Sequence, residues 1–376
     1  MRLAAAAPAG SSPRDLVGGH PLWPLTDPPP SHYLPITSDT TCDAVVIGGG
    51  VTGALVAFLL VDAGLDVVVA EGREVAGGST SANTALLLYE SDLPLYRLAE
   101  RMGERNAVEV YRLCRDALAG FHRIVSRLDE PCGFAPRPSL YLASRPDDVQ
   151  ALRREHEMRR RHGFAVDFLD RADLESCCAF PSPAALLSHD AAELDPVCFS
   201  RQLLAQAERS GARVHERTWI TDLRSSHGSV EMTTERGCRI HARHAVLAAG
   251  YESERFLGRR LAQDNSTYAL ATEPVGELRG WPDRALIWET ARPYFYLRTT
   301  PENRILIGGL DEKDVSAARR DALLEGKCRL LLERLRGMFP GLEPRVGSAW
   351  CGAFFNTRDS LPYIGQHPEL PRLHVA

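Results

Sequence analysis

Residues 43–71 constrain the fold of this chain more tightly than any other stretch. The run DAVVI at 43–47 is a short, unbroken apolar segment of the type a fully buried parallel strand requires, and glycines follow it at once. Gly48, Gly50 and Gly53 make G-x-G-x-x-G at the opening of a helix whose apolar positions Leu55, Phe58, Leu59 and Val61 cover a broad face before Gly64 stops it. DVVVAE at 66–71 then reads as a second strand, completing strand, helix and parallel strand. Glycines at this spacing serve a tight turn, a close approach of backbone to a pyrophosphate, and helix–sheet contact, while free amides at the helix N-terminus face the phosphate charge. Glu71, ending the second strand, is suited to accept hydrogen bonds from ribose hydroxyls. A bound dinucleotide follows; whether it is a nicotinamide or a flavin does not.

The remaining chain is long enough to build on this unit. Its 376 residues suggest two or three domains, and 44% hydrophobic with 25% charged residues match an ordinary globular composition. The 44 basic and 49 acidic residues give a net charge of −5, which argues against a nucleic-acid surface. Arg153, Arg154, Arg159, Arg160 and Arg161 run against this, but Glu155 and Glu157 are interleaved, so the stretch reads as a solvated helix face. The apolar region 44–70 contains five glycines, Asp62 and Asp66, which excludes it as a membrane span. The start, MRLAAAAPAG, lacks the apolar core of a signal peptide, so a cytoplasmic location is expected. Nine cysteines without CxxC spacing read as reduced thiols, Cys177 and Cys178 being capable only of a strained vicinal bridge. Cys238, His241 and His244 fall three apart in a strand-like run and so point to opposite faces, and no metal site is expected.

Residues 1–40 are rich in Pro, Ser and Gly, with Pro28, Pro29 and Pro30 in succession, and read as a flexible arm in which Pro21, Leu22 and Trp23 form a short packing anchor. Helical patterns cover 92–127, 147–162 and 196–210; SLYLAS at 139–144 alternates as a strand. Three strand-like runs follow between 212 and 250, and residues 293–309 read as a hairpin turning at Pro301 and Asn303.

Later stretches make the reading specific. EGREVAGGSTSANTALL (71–87), LDPVCFSRQLLAQAERSGARVHERTWI (194–220), HAVLAAGYES (244–253), the hairpin at 294–309 and WCGAFFNTRDSLPYIG (350–365) resemble, in order, motifs of the D-amino acid oxidase superfamily. That family includes glycine oxidase, sarcosine oxidase and γ-glutamylputrescine oxidoreductase. The resemblance implies an α/β fold in which an FAD-binding, Rossmann-like domain of the glutathione-reductase type is interleaved with an antiparallel-sheet substrate domain. The implied division is 41–95, 192–256 and 346–376 for FAD, and 96–191 with 257–345 for the substrate cap. Expected cofactor contacts are Gly48, Gly50, Thr52 and Gly53, then Glu71 and Arg73, then Ser79, Thr80 and Ser81 in the pyrophosphate loop. Ile220 ends the family's T-x-V strand, matched here by Thr218, Trp219 and Ile220, and Gly250 closes the later glycine-ended strand. Ordinary capping by the loop hydroxyls is the rival reading of 79–81.

On the substrate side, a strand at 294–299 puts Tyr294, Tyr296 and Arg298 on one face. These are the candidate catalytic residues, the guanidinium pairing with a substrate carboxylate and the tyrosines excluding water and donating hydrogen bonds. An Arg298 bridge to Asp311 or Glu312 across the hairpin competes with this, as do Arg292 and Arg358 for the carboxylate. The expected activity is oxidation of the C–N bond of an amine or amino acid by hydride transfer to flavin, with oxygen or another electron acceptor regenerating FAD. The alternatives are a catalytically silent flavin-fold protein and an NAD-dependent dehydrogenase. The family continues past the equivalent of RLHVA with a further glycine-rich loop and a helix facing the flavin ring, and a chain ending at Ala376 is expected to hold FAD more weakly or turn over more slowly.

Overall fold

The computed structural model describes residues 13–26, 33–257, 262–313 and 316–376. The consecutive prolines 28–30 of the expected arm lie outside them. Two sheets organise the fold. The smaller, of eight strands, runs in the order Gly365–Gln366, Leu373–Val375, Arg239–Leu247, Thr40–Ile47, Val67–Ala70 and Arg213–His215, with Ile220–Ser225 and Val230–Thr234 added through the antiparallel partner of Arg239–Leu247. Its centre is parallel: Val46 lies between Val69 and Val246. Val45, Val46, Val67, Val68 and Val69 have no exposed surface, which is why these strands carry no polar alternation.

Helix Val51–Asp62 crosses between Thr40–Ile47 and Val67–Ala70 and packs on helix Pro196–Arg209. Gly64, at φ +83°, ends the first of these, and Asp195 caps the second by accepting from the Val197 and Cys198 amides. Leu203 and Leu204 are fully buried in this contact, each contributing about 1.5–3 kcal/mol.

The larger sheet has ten strands, nine of them in the order Val17–Gly19, Val346–Asn356, Gln263–Thr272, Ile305–Lys313, Phe295–Thr299, Leu286–Glu289, Ala135–Leu142, Ala184–Glu193 and Leu86–Leu88, with Val166–Asp170 pairing to Ala184–Glu193. It is antiparallel apart from the parallel pair Leu286–Glu289 and Ala135–Leu142. Helix Ala317–Met338 packs on it through Leu331, Leu335 and Met338. An α/β fold with an interleaved antiparallel sheet was expected, and this is one.

Several boundaries differ from the sequence reading. Strand Val346–Asn356, expected with the FAD-binding segments, hydrogen-bonds into the larger sheet, as does Leu86–Leu88. The described part of the expected arm is built into the body: Val17–Gly19 pairs with Val346–Asn356, and Trp23 is 4% exposed with Nε1 donating to the Asn83 carbonyl at 2.7 Å. An edge strand and one buried indole supply the apolar contact that the polar composition around them concealed. Among the described residues no helix is long and apolar enough to cross a membrane, and all nine cysteines are free thiols.

Candidate active site

A cavity of about 600 Å³ is lined from both sheets, running from the Gly48 turn to Tyr294 and Tyr296. That size lies within the range of small-molecule and cofactor sites. At the Gly48 end the backbone is held close by the absence of side chains. Gly48 sits at φ +114°, where a Cβ would lie 2.4 Å from the Ala248 carbonyl oxygen. A Cβ on Gly53 would lie 1.9 Å from the Gly48 carbonyl oxygen, so Gly53 serves helix–strand contact and does not itself line the cavity. Gly50 and Thr52 do line it. Val51 N donates to Thr80 Oγ1 at 3.0 Å, and the Ala54 amide is the first to bond within the helix, to Gly50 O. The Thr52 and Gly53 amides between them have no intrahelical acceptor.

The short helix Ser79–Ala82 meets this turn. Its three hydroxyls divide: Thr80 accepts from Val51, Ser81 donates to the Gly78 carbonyl at 2.8 Å and does not line the cavity, and Ser79 lines it with a buried Oγ that has no hydrogen-bond partner. Capping thus accounts for Ser81 and leaves Ser79 without a protein partner. Glu71 Oε2 accepts from Gly49 N at 2.6 Å and Oε1 from Arg73 N at 2.6 Å. Burial pushes its carboxyl above the usual range, against the two amides and the Arg73 charge, which draw it down. Arg73 is paired with Glu252 at 2.8 Å and lies 5.1 Å over the Trp219 ring. Trp219 packs on Gly72, where a Cβ would meet the indole at 2.6 Å, and Ile220 and Gly250 complete this end. An orphaned serine hydroxyl, free first-turn amides, a glycine cradle and a carboxylate lining the cavity together fit the adenosine pyrophosphate of a dinucleotide.

At the opposite end Tyr294, Tyr296 and Trp288 form an aromatic wall. Tyr296 stands directly opposite Gly308, and a Cβ there would meet its hydroxyl at 2.3 Å; the glycine gives the ring its place across the partner strand. Trp288, opposite Tyr296, stacks on Tyr141 at 3.8 Å and donates to Ser139 Oγ at 2.9 Å. Burial raises Tyr296 to about 12 and Tyr294 well above its ordinary value, with nearby aspartates adding to both.

Arg298 is a correction. The alternation that places it on the face of Tyr294 and Tyr296 carries it beyond the cavity, beneath Trp23, whose ring it underlies at 5.0 Å. It is 1% exposed, donates to the Leu194 carbonyl at 2.9 Å and stands 3.8 Å from Glu193 Oε2. Neither Asp311 nor Glu312 is its partner. Burial lowers its pKa to about 10, with Glu193 opposing. Arg292 and Arg358, the alternative carboxylate partners, do not line the cavity either.

The sequence reading missed Glu90, Asp92, Thr267 and Trp288, all of which line the cavity, and read Asp311 only as an ion-pair partner. Glu90 and Asp92 follow strand Leu86–Leu88 in an irregular segment with no periodicity, and only the larger sheet brings them to Asp311. Burial is the main cause raising the Asp92 and Asp311 carboxyls; Arg292 draws Asp92 back, and Thr267 draws Asp311 back.

The two sheets and the glycine turn define a dinucleotide-binding oxidoreductase fold with a separate aromatic wall. The family model described as DAO, FAD dependent oxidoreductase, matches residues 43–376, and the chain belongs to that family. Its cofactor is FAD, and the nicotinamide alternative is set aside. The chain is 29% identical over 346 residues to glycine oxidase of Geobacillus kaustophilus (strain HTA426), covering 89% of this chain and 86% of that protein. It is 25% identical over 353 residues to YhfW of Bacillus subtilis (strain 168), a protein named for a Rieske 2Fe-2S centre, covering 92% of this chain and 66% of YhfW. The crystal structure of glycine oxidase from Geobacillus kaustophilus superposes with a TM-score of 0.70 at 23% identity over 89% of this chain and 88% of that one.

Proposed function

We propose that this chain oxidises the C–N bond of an amine or amino acid. The carrying observation is one continuous cavity that joins the pyrophosphate cradle at Gly48 and Ser79 to the aromatic wall of Tyr294, Tyr296 and Trp288. FAD, when bound, supplies the hydride acceptor. The protein's contribution is to hold the reacting C–H bond within near-attack distance, about 3–3.5 Å, and to keep the site dry. Tyr294, Tyr296 and Trp288 would do this as walls. A free amine needs no protein base for this step, since its lone pair closes the C=N bond as hydride leaves the carbon; the imine then takes up water and releases a carbonyl compound and ammonia, or an amine where the substrate is secondary. Relatives named glycine oxidase support a nitrogen-bearing substrate.

The purified protein should be yellow and should bleach anaerobically with a primary or secondary amine. A preparation that takes up FAD but is reduced by no amine or amino acid would refute the activity, and one that takes up no FAD would refute its basis.

A further inference from the structure

We propose that the substrate end of the cavity is built for a dication, a linear di- or polyamine without a carboxylate, whose distal ammonium group sits among Glu90, Asp92 and Asp311. The proposal rests on the amine-oxidation reading and narrows it.

An α-amino acid brings a carboxylate, and a buried site that receives one ordinarily presents a guanidinium to it. Here the candidate arginines are engaged elsewhere. Arg298 is held beneath Trp23 by the Leu194 carbonyl and Glu193. Arg292 donates to four backbone carbonyls, those of Asp92, Glu289, Thr290 and Ala291, and lies over the Tyr294 ring at 4.8 Å. Arg358 is exposed outside the cavity. Arg73 does line the cavity, but at the nucleotide end and paired with Glu252. Among the described residues, no cation lines the substrate end.

Carboxylates do. Glu90 is 8% exposed; its Oε1 accepts from Arg159 at 3.1 Å, and its Oε2 is buried with no hydrogen-bond partner. Arg159 does not cancel this charge, because it is shared with Glu155 at 2.6 Å. Lys327, the cation behind Asp311, is committed to Glu312 at 2.5 Å and the Leu310 carbonyl at 2.9 Å. Neither Asp92 nor Asp311 forms an ion pair with any described residue. Arg292 and Lys327 act on these aspartates only from a distance, without a close ion pair, and the partly satisfied, buried Glu90 in the same cavity is costly unless a cation completes it. The aromatic rings of Tyr296 and Trp288 that line this end suit a cation better than an anion, and the carboxylate of an amino acid would meet like charge.

The test uses the full chain carrying FAD. Anaerobic flavin reduction is followed with putrescine, butylamine, glycine and sarcosine, in the wild type and in Asp92→Asn and Asp311→Asn, with FAD content measured for each. Expected is a kcat/KM for putrescine roughly tenfold above butylamine and further above glycine, and a fall of roughly tenfold in the putrescine-to-butylamine ratio in each variant, the scale of one lost close charge contact. Glycine or sarcosine reducing the flavin as well as putrescine overturns the proposal while leaving amine oxidation standing; so does a ratio unchanged by both variants. If no amine reduces the flavin, amine oxidation falls, and binding decides this inference separately. A change in the flavin spectrum produced by the unreactive dication hexamethonium, not by acetate, and lost in the double variant upholds it. Equal or stronger binding of acetate overturns it.

Discussion

Gly53→Ala isolates the helix–strand contact on which cofactor binding depends. Gly53 is within helix Val51–Asp62, an ordinary conformation for alanine, so the effect of the substitution is one of space alone. Its Cβ would lie 1.9 Å from the Gly48 carbonyl oxygen and 2.9 Å from the Gly48 carbonyl carbon, and both are backbone atoms with no rotamer to escape into. Relief to an ordinary contact near 3.4 Å requires the helix to retreat by more than about 1 Å from strand Thr40–Ile47, carrying the first-turn amides away from the cavity. Overpacking of this kind costs about 1–3 kcal/mol, which read as lost binding is about 5- to 150-fold in the FAD dissociation constant. Calorimetric titration of the apoprotein with FAD, beside its thermal unfolding, measures both terms. Gly64→Ala is the control: it is strained by φ +83° but has nothing within 4 Å, so it should lose about 1 kcal/mol of stability and keep its FAD affinity. Wild-type FAD affinity in Gly53→Ala, or equal losses in both variants, would refute the reasoning.

Three further outcomes follow from particular contacts. Ser79→Ala removes a hydroxyl that has no protein partner, so apoprotein stability should hold while FAD affinity falls by about 10-fold or more, the scale of a hydrogen bond to a charged group; fluorescence titration and the apoprotein melting temperature separate the two. Arg298→Met removes the donor to the Leu194 carbonyl but leaves Glu193 with Arg137 at 2.8 Å, so stability should fall by about 1–3 kcal/mol in urea unfolding while KM stays unchanged; a raised KM would return Arg298 to the substrate site. Burial raises the Asp311 carboxyl, and a carboxyl whose folded pKa exceeds its unfolded value contributes stability that is fully present below the unfolded value and lost as pH rises through the folded one. Asp311→Asn should therefore raise the melting temperature of the apoprotein at neutral pH, with the difference shrinking as pH falls through the carboxylate range; a lowered melting temperature at neutral pH would show that Asp311 is stabilised by its neighbours.

The nucleotide half of the molecule was legible in the sequence because its physics is local. Val45 to Ile47 must be apolar to be buried on both faces, Gly48 must turn at positive φ, and Glu71 must follow within one strand, so residues 43–71 carry the whole unit. The substrate half is assembled from distant segments. Alternation along 294–299 grouped Tyr294, Tyr296 and Arg298 but held no record of where the cavity ends: the two tyrosines line it, and Arg298 lies under Trp23, a residue of the supposed arm. Glu90 and Asp92 lacked any signal, since a carboxylate in an irregular segment becomes part of a pocket only through pairing of Leu86–Leu88 with Ala184–Glu193, about a hundred residues away. Ser81 shows the same limit at close range: three adjacent hydroxyls look alike in sequence, and only geometry assigns one to Gly78, one to Val51 and one to the cavity.

Titration of the apoprotein with FAD, NAD and AMP in parallel tests most directly the claim that the Gly48–Glu71 unit and the wall beyond it form one flavin site. Stoichiometric FAD binding that AMP displaces weakly and NAD does not reproduce is the predicted result. Binding of NAD as tight as FAD, or of neither, would contradict it.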